Sequence, residues 1–154
     1  MGKIYNIVLN SAFGTTGADI RTVNFFYDWS RIEQGRYKMT FTFITSVLTS
    51  TNVSVMNIFT DMCQTNTFFA SNPDGTRNDT YAYQYLGIAR ASGTGANTYL
   101  YAPNNFNGEI YINQRPQNNL FSISLLNNDA NKTAYTSTAL FNNYSLVLTL
   151  ELLD

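Results

Sequence analysis

Arg36-Tyr-Lys-Met-Thr-Phe-Thr-Phe-Ile-Thr-Ser-Val47 alternates apolar and polar side chains. Tyr37, Met39, Phe41 and Phe43 fall on one side, and Arg36, Lys38, Thr40 and Thr42 on the other. A period of two belongs to a β-strand, whose successive side chains point to opposite faces. The stretch therefore reads as a strand with one core face and one wet face. The same pattern recurs toward both ends of the chain. Tyr5, Ile7 and Leu9 alternate with Asn6 and Asn10 between Lys3 and Asn10. Phe121, Ile123 and Leu125 alternate with Ser122 and Ser124. Tyr144, Leu146, Leu148, Leu150 and Leu152 alternate with Ser145, Thr149 and Glu151.

Other stretches carry the signal less regularly. Arg21 to Trp29 sets Val23, Phe25, Tyr27 and Trp29 on one face, with Trp29 as a core or loop anchor. Val53 to Phe59 loses phase at Asn57, which predicts a bulge or an edge strand there. Tyr81 to Ala89, Asn97 to Ala102 and Gly108 to Asn113 bring the total to about nine strands. Turn chemistry separates them at Gly14–Gly17, Asn72–Gly75, Gly93–Gly95, Pro103–Asn105 and Asn127–Asp129. Ser30-Arg-Ile-Glu33 fits a capping box, but Gly35 limits any helix to one turn. Thr60–Ala70 is irregular and has room for a helical turn. Many short strands with regular turns predict an antiparallel β-sandwich. A chain that is strand at both ends fits a single jelly roll of about eight or nine strands, spanning residues 1–154 as one domain, with its first and last strands side by side.

Composition narrows the function. The 154 residues are long enough to bury a core without metal or disulfide. Only 12% are charged and the net charge is −1, with the nine basic residues scattered, so no basic patch recruits nucleic acid. Asn, Thr and Ser take the place of charges, and uncharged polar groups cost less than ions to bury against another surface. No apolar run is long enough to span a membrane and no signal peptide is visible, so membrane insertion is not expected. Cys63 is the one cysteine, so no disulfide forms within the chain.

Catalytic chemistry has little to work with. The absence of histidine removes Ser-His-Asp and Cys-His nucleophiles and histidine-bound zinc. Cys63 without such a partner reads as inert packing. The acids sit mostly in turns or on wet strand faces and no motif pairs them as a glycosidase would. Gly93-Thr-Gly95 lacks the Lys-Ser/Thr end of a P-loop and is a turn. Asn72, Asp74, Asn78 and Asp79 gather oxygen ligands in one loop but miss the EF-hand spacing. Asn-x-Ser/Thr triplets at Asn52, Asn78, Asn131 and Asn143 follow from the abundance of these residues. The chain is expected to be no enzyme and to hold no cofactor or metal. Tyrosines cluster at Tyr81, Tyr83, Tyr85, Tyr99 and Tyr101. On an exposed face they would stack on sugars or anchor a protein interface, and facing inward they are core.

Tyr5-Asn-Ile-Val-Leu-Asn-Ser11, Phe26-Tyr-Asp-Trp-Ser30 and Gly35-Arg-Tyr-Lys-Met-Thr-Phe-Thr-Phe43 form an ordered series. Ile110-Tyr-Ile-Asn-Gln-Arg-Pro116 and Asn118-Asn-Leu-Phe-Ser-Ile-Ser-Leu125 continue it. The series resembles the small single-jelly-roll minor capsid proteins of large nucleocytoplasmic DNA viruses, the chlorella-virus-like and giant algal viruses. The resemblance implies a structural virion protein, assembled in the host cytoplasm and contacting other capsid proteins. Self-association is expected, a trimer being one form it allows. The absence of a basic arm agrees with a coat that does not touch the genome. A lectin-like or receptor-binding sandwich using the tyrosines is the competing expectation.

Overall fold

The computed structural model describes residues 2–16, 22–46, 55–64, 84–91, 99–102, 109–127 and 143–153. Among these residues there are ten β-strands, two single 3-10 turns and no α-helix. The strands are β1 (Ile4–Asn10), β2 (Thr15–Thr16), β3 (Thr22–Phe26), β4 (Tyr37–Ser46) and β5 (Val55–Thr60). They continue as β6 (Gln84–Ala91), β7 (Tyr99–Ala102), β8 (Ile110–Ile112), β9 (Leu120–Asn127) and β10 (Ser145–Leu152). Every pairing is antiparallel.

The hydrogen-bonded order is β1-β10-β4-β7-β6-β5-β9-β3-β2, with β8 also on β4. It resolves into two four-strand ladders, β1-β10-β4-β8 and β3-β9-β5-β6. The short β7 joins them by pairing with β4 at one side and β6 at the other. Chain ends meet as expected, since β1 lies against β10 from Ile4↔Glu151 to Asn10↔Ser145.

One apolar core serves both ladders. It takes Ile7 and Leu9 from β1, Tyr37, Met39, Phe41 and Phe43 from β4, and Leu146, Leu148 and Leu150 from β10. From the other ladder come Val23, Phe25, Met56, Ile58, Leu86, Phe121, Ile123 and Leu125. A sandwich-like all-β fold follows from two half-apolar sheets that must hide the same kind of face. Each fully buried Leu or Phe contributes about 1.5–3 kcal/mol. Within the core, Phe25 and Phe121 rings lie 6.1 Å apart and Trp29 and Phe121 5.6 Å apart.

Several local expectations are corrected. β5 is no edge strand, because it sits between β6 and β9. Its phase loss at Asn57 arises because both of its faces are buried, so no polar alternation is needed. The irregularity lies on the partner strand. Ile58 pairs Gly87 and Phe59 pairs Tyr85, leaving Leu86 as the extra residue, and Gly87 takes a φ of 153° that disfavours other side chains. The 3-10 turn Trp29–Arg31 is capped by Asp28 and not by Ser30. The Asp28 carboxylate accepts from the Ser30 backbone N–H at 3.1 Å and from the Ser30 hydroxyl at 2.6 Å, which holds its carboxyl below the usual range. β3 ends at Phe26, so Trp29 reaches the core from this turn.

Ser122 and Ser124 were expected on a wet face and are buried instead. Their hydroxyls are satisfied across the strands: Ser122 donates to Asn24 Oδ1 at 2.6 Å, and Ser124 meets the Thr22 hydroxyl at 3.0 Å. Asn57, on the same side, accepts from the Tyr85 hydroxyl at 3.3 Å. Uncharged polar side chains tolerate burial when they can pair in this way.

Phe41 is buried and Thr42, one residue on, is exposed. Phe41→Asp is expected to abolish cooperative unfolding, because an unpaired buried carboxylate and the lost ring together rival a net stability of about 5–15 kcal/mol. Thr42→Asp should cost no more than about 1 kcal/mol. Urea titration followed by circular dichroism checks both, and a folded Phe41→Asp protein would show the register to be wrong.

Candidate functional site

The sequence blocks of Phe26–Ser30, Ile110–Pro116 and Asn118–Leu125 come together at one end of the sandwich. Trp29 is buried, and its indole Nε1–H donates to the Asn118 carbonyl at 2.9 Å. The Trp29 backbone N–H donates to Asn119 Oδ1 at 3.2 Å, and the Tyr27 N–H to the Asn119 carbonyl at 2.9 Å. The Tyr27 and Trp29 rings lie 4.7 Å apart. Adjacent amides at Asn118 and Asn119 thus bolt the β8–β9 connection onto the turn after β3.

Beyond the end of β5, side chains replace the ladder. The Asp61 carboxylate accepts from the Ser122 N–H at 2.6 Å, and the Thr60 hydroxyl donates to the Ser122 carbonyl at 2.9 Å. Thr60 Oγ1 also accepts from the Met62 N–H at 3.2 Å, and Asn118 Nδ2 donates to the Asp61 carbonyl at 2.7 Å. Arg115 Nη1 donates to the Ile32 carbonyl at 2.7 Å. The Gln34 amide, with its oxygen turned to Arg115, accepts from Nη2 and Nε at 3.2 Å each. The Ile32 and Asp61 carbonyls and the Met62 N–H lie in turns, and the Ser122 N–H and C=O face the place where β5 has ended, so fixed side chains supply the partners a ladder would.

A cleft of about 630 Å³ opens here between residues 61–64 and 113–118. Its wall carries Asp61, Gln64, Asn113, Gln114, Arg115 and Asn118, with Met62 and Cys63 beneath. Much of its polar lining is already engaged in the contacts above. Cys63 is partly buried and its burial pushes the thiol up to about 12, where it is neither a nucleophile nor a thiolate ligand near neutral pH. Among the described residues no group of three or more His, Cys, Asp or Glu side chains is placed to hold a metal ion.

Sequence reading missed this corner. Alternation and turn chemistry assign no hydrogen-bonding role to Asp61, Asn118 or Asn119. The available signal was an acid directly after the apolar β5 and a doubled Asn just after Pro116, both at strand boundaries.

Of the tyrosine cluster, Tyr81 and Tyr83 lie outside the described residues, and Tyr99 and Tyr101 are described only in their backbone pairing on β7. Tyr85 is half-buried on β6, with its ring 5.3 Å from that of Phe59 and its hydroxyl on Asn57. Burial pushes its phenol up to about 12. The oxygen ligands Asn72, Asp74, Asn78 and Asp79 and the turn Gly93-Thr-Gly95 also lie outside the described residues.

The outer face of β1-β10-β4-β8 is open. Ile4, Asn6, Val8, Thr42, Ile44 and Tyr111 are exposed on it, and Thr40, Ser145, Val147 and Thr149 are half-buried. At one corner of it Lys38 meets Glu151 at 2.6 Å and Glu109 at 3.5 Å. On the second ladder Phe26 and Leu120 stand opposite each other, 72% and 71% exposed. No helix among the described residues is long and apolar enough to cross a membrane. No family model matches the chain, and no curated protein or solved structure matches it.

Asp61→Ala leaves the Ser122 N–H without its acceptor and is expected to cost about 1–3 kcal/mol in urea unfolding, while Asp61→Asn, which keeps an acceptor oxygen, recovers most of it. Cys63 is expected to resist an aromatic disulfide reagent at pH 8 and to react quickly once urea unfolds the chain. Because its folded pKa is raised, the associated stability is complete below about 9 and is lost as the pH rises from 9 toward 12. Rapid labelling of the folded protein at pH 8 would contradict this placement.

Proposed function

We propose that the chain is a single jelly roll serving as a non-enzymatic structural protein of a viral shell, a minor capsid protein that binds other capsid proteins in the virion. The strand order supports the fold. Successive main strands change ladder at every step except β5 to β6, and the first and last strands end up adjacent inside one ladder. Jelly rolls have this winding, and viral coats are among their uses.

The observation that carries the functional reading is the outer face of β1-β10-β4-β8. Ile4, Val8, Ile44 and Tyr111 leave apolar surface in water there, and the Asn and Thr side chains beside them cost less than ions to bury against another protein. The sequence blocks resembling minor capsid proteins point the same way. The low net charge gives no electrostatic attraction to a genome. Assembly in the host cytoplasm belongs to the same reading.

A second reading draws on the amide-lined cleft beside Asp61. Asn113 and Gln114 on its wall suit the hydroxyls of a sugar, as a glycan-binding sandwich requires.

Mass spectrometry of purified particles from infected cells tests the first reading. The chain is expected among the particle proteins and is expected to withstand a high-salt wash, since its outer face is uncharged over most of its area. Absence from the particles, together with glycan-array binding lost in an Asn113→Ala/Gln114→Ala variant, would replace the shell reading by the glycan one.

A further inference from the structure

β1 ends the β1-β10-β4-β8 ladder, and its own hydrogen bonds show which residues look outward. Leu152 N–H donates to the Lys3 carbonyl at 2.8 Å, and Ser11 N–H to the Tyr144 carbonyl at 3.0 Å. Both pairs continue the β1–β10 register. In an antiparallel ladder bonding alternates residue by residue, so Tyr5, Ile7 and Leu9 bond to β10. The N–H and C=O groups of Ile4, Asn6 and Val8 then point away from the sheet, and no partner for them lies among the described residues. Ile4 and Val8 are 54% and 66% exposed and Asn6 is exposed, and among the described residues no strand pairs with this side of β1.

Edges of this kind are normally blunted by charge, proline, a bulge or shortness. β2 is two residues long and β8 three. β1 runs seven residues with no charge, no proline and no register shift. Unpaired backbone amides in an extended row select an extended strand as their partner.

We infer that β1 pairs antiparallel with β1 of a second copy of this chain across a two-fold axis at Asn6. This deepens the assembly reading above, and rests on it, by naming the partner and the contact. Setting Asn6 opposite the partner copy's Asn6 brings Ile4 opposite Val8 and Val8 opposite Ile4. Each of these positions turns its N–H and C=O outward, so all three pairs exchange reciprocal backbone hydrogen bonds. The side chains match as well. Each Ile–Val pair is apolar, and such cross-strand pairs contribute about 0.2–1 kcal/mol. Asn6 Oδ1 already accepts from the Thr149 hydroxyl at 2.9 Å, which orients the amide and leaves its N–H groups for the partner's Asn6 oxygen. Shifting the pairing by two residues would set Asn6 against Val8 and Ile4 against Asn10, mixing polar with apolar at every rung. A central Asn rung flanked by two apolar pairs therefore favours this register over one shifted by two residues, and suits the same strand as partner. Pairing joins two ladders into one continuous sheet with the strand order β8-β4-β10-β1 and then its mirror sequence.

Sedimentation equilibrium over a range of concentrations reads the dimer directly. The wild-type chain is expected to dimerise. Asn6→Lys places two like charges face to face on the axis and should weaken dimerisation by about tenfold or more. Asn6→Asp should do the same. Mixing the two should restore association as a heterodimer, while circular dichroism shows each variant folded on its own. A wild-type chain that stays monomeric at the highest concentration, or an Asn6→Lys chain that dimerises as tightly as wild type, would overturn the inference. A monomeric chain still found in particles would remove only the β1 pairing, and a dimeric chain absent from particles would remove only the shell reading.

Discussion

Everything in this fold depends on the register of β10 between β1 and β4. Leu146, Leu148 and Leu150 are fully buried, and their partners on β4 are Phe43, Phe41 and Met39. On the other side they meet Leu9, Ile7 and Tyr5. A slip of β10 by one residue would carry Leu146, Leu148 and Leu150 to the solvent face and bring Val147, Thr149 and Glu151 into the core. With each large side chain contributing about 1.5–3 kcal/mol, several such rungs exceed the net stability of an ordinary domain, so the slipped register has no competitive minimum. The same register lines up Val8, Val147 and Thr42 on the outside. The composition of the outer face is thus a consequence of the constraint that builds the inner one.

Strands under this constraint were legible in the sequence, because a half-buried strand must alternate. β1, β4 and β10 each announce themselves in that way, and the adjacency of β1 and β10 followed from strands at both ends. Strands free of the constraint were not. β5 is buried on both faces, so the position of Asn57 carries no phase information. Ser122 and Ser124 read as wet because serine is usually wet, yet hydrogen bonds to Asn24 and Thr22 make their burial inexpensive. The bulge at Leu86 depends on how β6 meets β5, a pairing between distant residues that local pattern does not encode. The helix-cap signature at Ser30 failed for a related reason. Asp28 sits two residues before Ser30 and accepts from its N–H and its hydroxyl, so Ser30 serves as a donor to the cap.

The corner around Trp29 bears on how the sequence resemblance should be weighed. Tyr27, Trp29, Asn118 and Asn119 are bound to one another, and Arg115 is bound to Ile32 and Gln34. Side chains that satisfy orphan backbone groups at strand ends are needed wherever the same strands meet the same turns. These blocks therefore hold side chains that close the sandwich at this end. They speak first to fold, and to function only through the surfaces that this fold leaves open.

Those surfaces are unequal, and the inequality follows from how the ladders are joined. β7 bridges β4 and β6, which removes an edge from each sheet along part of that side. β2 covers part of β3 at the far end. Among the described residues β1 is thereby left as the long terminal strand, with its inward side chains in the core and its outward backbone groups unpaired. Blunting it with a charge at Asn6 would cost the isolated fold little, because Asn6 is exposed and its side-chain hydrogen bond among the described residues is with the Thr149 hydroxyl. A chain under pressure only to stay soluble would gain from such a charge. Keeping an uncharged, apolar-flanked strand at the longest open edge is the expected arrangement for a protein whose work is to be joined to others.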